Sequence, residues 1–159
     1  MNAPTRFQPA VVSFQPADPG YAARVRASFG RQKAMALIGA RLELVEPGRV
    51  EIRLPYREEN TQQKGYVHGG VLGMIADTAC GYAAFSLMPA GCSLVTVEYK
   101  INVLRPALGT LLARGEVLKP GRTLTVARGD IFAEDGAQVA TMQQTLMMLA
   151  DTPDTPEQK

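Results

Sequence analysis

Two hydrophobic periods divide the chain. Val50, Ile52 and Leu54 alternate with Glu51 and Arg53, the period-two pattern of a half-buried strand. Arg41 to Val45 alternates in the same way, and Pro47-Gly48 marks a turn between them, so residues 40–46 and 49–55 predict a hairpin. Ahead of it, Tyr21, Val25 and Phe29 fall on one helical face behind Asp18-Pro19, an N-cap and N1 pair. Gly30 is expected to break this helix before a second short one carrying Met35, Leu37 and Ile38, which Gly39 ends. A polar loop, REENTQQKGYV, follows the hairpin. From Gly69 to Leu87 the chain is then apolar on every face, with Asp77 as the one charge, which predicts a long helix closed by Met88-Pro89-Ala90-Gly91.

Beyond that helix the pattern is all β. Strands are expected at Ser93–Val103 and Leu111–Val117, joined across Arg105-Pro106-Ala107-Leu108-Gly109. The tight turn Lys119-Pro120-Gly121-Arg122 leads into Thr123–Phe132, and Asp135-Gly136 supplies the positive φ of a short hairpin before Gln138–Met148. We read these four strands as a meander. A helix apolar all round must be enclosed, and a curved antiparallel sheet is what this chain has to enclose it. Gly73, Ala76, Ala79, Gly81, Ala83 and Ala84 would let the sheet wrap closely. The predicted class is α+β, a hot-dog fold: a long central helix rolled in about six strands, with an extra N-terminal helical segment. Residues 1–17, Pro-rich with a short echo at Phe7–Ala10 and Phe14–Ala17, read as an extended arm. Residues 18–150 read as one domain, and 151–159 as a disordered tail.

The 159 residues amount to one domain, and 46% hydrophobic against 20% charged residues is an ordinary globular balance. A formal net charge of +2 with no Lys/Arg run gives no basis for nucleic-acid binding. Cys80 and Cys92 lie in apolar surroundings with no framework spacing and read as reduced thiols of a cytoplasmic protein. One histidine and no ligand cluster argue against a metal site, and against most Ser-His or Cys-His triads unless His68 is the base. The N-terminus has no secretory h-region. Asp77 would cost roughly 2.5–3.5 kcal/mol mid-membrane, so a helix buried in a soluble protein, with no membrane partner, is the better reading.

An isolated carboxylate in an apolar helix is costly to bury unless it does chemistry, so Asp77 is the first candidate residue. Gly69-Gly70 opens the helix, where backbone N–H groups are unpaired and the macrodipole is positive. Lacking side chains, these glycines either admit a carbonyl oxygen to an N–H, as an oxyanion hole, or simply permit a tight turn.

The combination of Asn60-Thr61-Gln62, His68-Gly69-Gly70 and Asp77 resembles the hot-dog acyl-CoA thioesterases of the phenylacetic-acid-degradation (PaaI-type) branch. Thr96-Val97-Glu98, Arg105-Pro106-Ala107, Gly121-Arg122-Thr123 and the Asp135-Gly136 turn continue the match over residues 32–149. The resemblance implies hydrolysis of a short, medium-chain or aromatic acyl-CoA, with coenzyme A part of the substrate and no cofactor or metal. Asp77 would be general base on water or nucleophile through an anhydride, and the Gly69 N–H the oxyanion donor across a dimer, since both lie on one helix roughly 12 Å apart. A homodimer is therefore required, and a tetramer expected.

Gln62 falls where relatives often carry an Asn that orients thioester or water. Thr96 aligns with a hydroxyl that holds the catalytic water, and His68 with a loop-fixing residue or base. Asn60 and Gly70 would border the substrate, with Tyr66, Met74 and Tyr82 as further pocket candidates. Lys119 and Arg122, and more weakly Lys64, would meet the coenzyme A phosphates. A dehydratase or hydratase, or a non-catalytic acyl-CoA sensor, are the competing readings. The acyl group is left open.

Overall fold

A computed structural model of the protein describes residues 13–155. The described chain begins at residue 13, so most of the segment read as an extended arm lies outside it, as do the last four residues of the expected tail. Helix α1 (Tyr21–Arg31) is followed by α2 (Lys33–Ile38), then the hairpin β1 (Arg41–Glu46) and β2 (Arg49–Leu54). A short 3-10 turn, Glu58–Asn60, precedes the long helix α3 (Gly69–Phe85). Strands β3 (Ser93–Val103), β4 (Leu111–Lys119), β5 (Leu124–Ala133) and β6 (Gln138–Leu149) complete one six-stranded sheet of order β1-β2-β4-β5-β6-β3. Every pairing is antiparallel. This is the hot-dog fold.

One expectation fails locally. Gly30 does not break α1, which runs on to Arg31, because a single glycine costs a helix only about 1 kcal/mol. The break comes at Gln32, whose backbone is extended. Gly39 does end α2, in the left-handed region at φ 76°, with the Ala40 N–H returning to Met35 O at 2.9 Å.

The last four strands are not a simple meander. Strands β4, β5 and β6 are consecutive neighbours, but β3 pairs with β6 at the far edge. The link at 104–110 is not a hairpin turn. Its buried Ala107 accepts the Val67 N–H at 2.9 Å, so it packs against the loop before α3 instead of reversing the chain on the spot.

The sheet's inner face is built by alternation. Val50, Ile52 and Leu54 of β2, Leu111, Ala113 and Val117 of β4, Ala127 and Ile131 of β5, and Met142 and Leu146 of β6 are buried against α3. Where the helix crosses most closely, the sheet has no side chains: Gly115 and Gly129 pair directly across β4 and β5. A Cβ at Gly115 would land on the Ala79 carbonyl, and one at Gly129 would lie 2.9 Å from Cys80 Sγ. The outer face is charged instead. Glu51 Oε1 accepts from Arg49 and Arg114, each at 2.7 Å; burial pushes its pKa up, but those two guanidinium bonds prevail and hold the carboxyl below its ordinary range.

Helix α1 closes the other end of α3. Arg24 donates to the carbonyls of Phe85, Met88 and Pro89, satisfying groups that a helix C-terminus leaves orphaned, and stacks 4.4 Å above the Phe85 ring. The sheet does not enclose α3 completely, contrary to expectation. Gly69, Gly70 and Met74 are exposed and Asp77 is half-buried, so one stripe of the helix stays open in the single chain.

Candidate active site

On that open stripe, Asp77 meets β3. The Thr96 hydroxyl donates to Asp77 Oδ1 at 2.8 Å. Thr96 lies in register with buried Leu146 of β6, and just beyond it Glu98 lies opposite Thr145, so one extra residue, Val97, interrupts the ladder as a bulge. Two residues on, Glu98 would otherwise share the face of Thr96. The bulge turns it instead to the Thr145 hydroxyl, 2.6 Å away. A third residue joins them that the sequence reading missed. Gln144, buried on β6, donates through Nε2 to Asp77 Oδ1 and, at 2.8 Å, to Thr96 Oγ1. A signal for it existed, because Gln144 stands in phase with Met142 and Leu146, where an inward residue should be apolar.

The carboxylate and Thr96 border a cavity of about 490 Å³. Tyr82 and Phe85 of α3, Leu94 of β3 and Leu149 of β6 give it apolar walls. At its far side Ser28 Oγ lies 3.0 Å from the Tyr82 hydroxyl, whose pKa burial raises. Arg31 of α1 and Asp154 form an ion pair there at 2.8 Å. Residues 153–155, part of the stretch read as a disordered tail, line this cavity. Of the pocket candidates only Tyr82 borders it; Tyr66 and Met74 do not.

The loop residues gather at the other end of the helix. His68 is the N-cap of α3, its Nδ1 accepting the Gly70 N–H at 2.9 Å. Among the described residues the Gly69 N–H has no acceptor. A Cβ at Gly69 would meet nothing within 4 Å, and the residue is exposed. Asn60 is turned inward rather than toward a groove: its Nδ2 donates to Ile38 O at 2.8 Å, and its carbonyl accepts the His68 N–H at 2.9 Å. Gln62 folds back on its own turn, Oε1 accepting the Lys64 N–H at 2.6 Å. Lys119 and Arg122 are exposed at the β4–β5 turn.

Within one chain the structure therefore unites Asp77 with Thr96, and His68 with Gly69 and Gly70, but not these two groups with each other. Cys80 is no candidate nucleophile, since burial, with the charges of Asp77 and Asp130, pushes its thiol pKa far up. Among the described residues there is no group of three potential metal ligands, and no helix long and apolar enough to cross a membrane.

The sequence profile of the thioesterase superfamily matches residues 64–140, which include the Gly69 donor, Asp77 and Thr96. A thioesterase family protein from Silicibacter pomeroyi is 50% identical, with a TM-score of 0.80, over 82% of this chain and 99% of that one. The chain belongs to the thioesterase superfamily. The E. coli PaaI protein from the phenylacetic acid degradation operon shares the fold, with a TM-score of 0.79 at 22% identity over 86% of this chain and 99% of that one. A protein of Halobacterium salinarum bearing a provisional esterase name is 34% identical over 58% of this chain. That match spans 65% of the relative, just under two thirds of its length.

Proposed function

We propose that the protein is an acyl-CoA thioesterase of the PaaI-type branch, converting an acyl-CoA and water to the free acid and coenzyme A in a site shared by two protomers. The observation that carries this reading is Asp77: a half-buried carboxylate, fixed by the Thr96 hydroxyl on the wall of a cavity that mixes apolar and polar side chains. A cavity of about 490 Å³ lies within the roughly 300–1,000 Å³ usual for small-molecule sites, and suits a short, medium-chain or aromatic acyl group.

Water held beside Asp77 and Thr96 gives a proton to the carboxylate as its oxygen attacks the thioester carbonyl. Negative charge develops on the carbonyl oxygen, and the free Gly69 N–H at the positive end of α3 receives it. Collapse of the tetrahedral intermediate breaks the C–S bond, and the departing thiolate takes from Asp77 the proton that water gave it, which restores the carboxylate. A direct attack by Asp77, through an anhydride that water then opens, uses the same residue. No metal or redox cofactor is required by either route.

Gly69 and Asp77 stand about 12 Å apart along one helix, so a single carbonyl cannot reach both in one chain. Support for a second copy comes from β3, a sheet edge on which Val95, Val97, Tyr99 and Val103 are 41–53% exposed. An unpaired apolar edge is a template for another strand. Two β3 strands meeting would bring Gly69 of one protomer toward Asp77 of the other. Lys119 and Arg122 are the cations offered to the coenzyme A phosphates, and pairing of dimers would give a tetramer.

The test is thiol release from phenylacetyl-, hydroxybenzoyl- and straight-chain acyl-CoAs by wild type and Asp77→Asn. The expected result is turnover on at least one thioester and a loss of about 10²-fold or more in the variant, with the oligomer intact. Saturable acyl-CoA binding without turnover on any thioester would reject the enzyme and favour a binding protein.

A further inference from the structure

Gln144 is a costly residue for its place. It is fully buried on the inner face of β6, between Met142 and Leu146. Its Oε1 is buried with no partner among the described residues. An orphaned buried carbonyl opposes folding, a penalty that an apolar side chain of the same shape avoids. Packing therefore does not explain the amide. Its nitrogen has two partners, Asp77 Oδ1 and Thr96 Oγ1.

Because an amide nitrogen only donates, Thr96 Oγ1 must accept from it, and the Thr96 proton is then committed to Asp77 Oδ1. Three side chains from α3, β3 and β6 so close a triangle on one carboxylate oxygen. Two donors converge on Oδ1, and among the described residues Oδ2 accepts from none. Gln144 does not itself line the cavity that Asp77 and Thr96 border.

Building on the hydrolysis proposed above, we infer that Gln144 is a positioning residue. It stops the carboxylate from rotating and sets the Thr96 hydroxyl, so that Oδ2 is the oxygen that acts on water or thioester. It touches no substrate. Its loss should thus slow the chemical step and leave substrate binding nearly unchanged.

The experiment compares Gln144→Met, which keeps length and removes the amide, with wild type and Asp77→Asn, by steady-state kinetics and thermal melting. We expect kcat to fall by at least about tenfold in Gln144→Met, KM to stay within about twofold, and the melting temperature to hold or rise. Gln144→Asn keeps the amide but withdraws its nitrogen, and should also lose kcat without a change in KM; it carries the test if Gln144→Met melts low. A folded Gln144→Met or Gln144→Asn with wild-type kcat overturns the positioning role. If Asp77→Asn itself retains turnover, the hydrolysis reading fails instead, whatever Gln144 does.

Discussion

His68 and two glycines divide the backbone donors at the mouth of α3. The imidazole takes the Gly70 N–H, and among the described residues the Gly69 N–H is left without an acceptor. Gly69 is also the first helical residue, the position at which proline fits a helix best, and His68 before it already has the extended backbone that a following proline demands. Gly69→Pro therefore replaces the N–H by a ring carbon, so that a carbonyl oxygen loses its donor there, with little strain on the helix. Thiol release by this variant should fall by about 10²–10³-fold, the loss seen when one oxyanion donor is deleted, with the melting temperature nearly unchanged. Full activity in Gly69→Pro would take the oxyanion away from this N–H.

At the scale of elements, α3 can lie against the sheet because small residues face each other from both sides. The sequence shows half of that contact, in the alanines and glycines of the helix. The other half, Gly115 and Gly129, is hidden in strands where an isolated glycine resembles a weak point, and only the register puts the two side by side. Gly115→Ala would drive a methyl into the Ala79 backbone, which cannot move aside as a flexible side chain would. We expect a loss of about 1–3 kcal/mol or more in denaturant unfolding, the range for overpacking a core. No loss of stability would mean that the helix rides farther from the sheet.

The same scale separates what could be read from the chain from what could not. The hairpin β1–β2, α3 and the Asp135-Gly136 turn declare themselves through period and turn chemistry, both local properties. The edge position of β3 does not, because the link at 104–110 looks like a turn, and its contact with Val67 exists only in three dimensions. Asp77 stood out as the single charge of an apolar helix. Thr96 entered by resemblance, and the bulge that turns Glu98 away from its face is announced by no pattern. Gln144 was passed over because a glutamine on a strand usually faces water.

For the whole molecule, the two halves of the proposed chemistry sit on one helix too far apart to serve one carbonyl, and the open stripe of α3 adjoins an exposed edge strand. A second copy resolves both features at once. The most direct test mixes two disabled proteins, Asp77→Asn and Gly69→Pro, under conditions that exchange subunits. Each heterodimer would pair the intact Gly69 of one chain with the intact Asp77 of the other, giving one working site and one doubly damaged site. With random exchange in a closed two-fold dimer, thiol release should recover to about a quarter of the wild-type rate. A mixture that forms heterodimers yet stays as inactive as its parents would contradict a site shared between protomers.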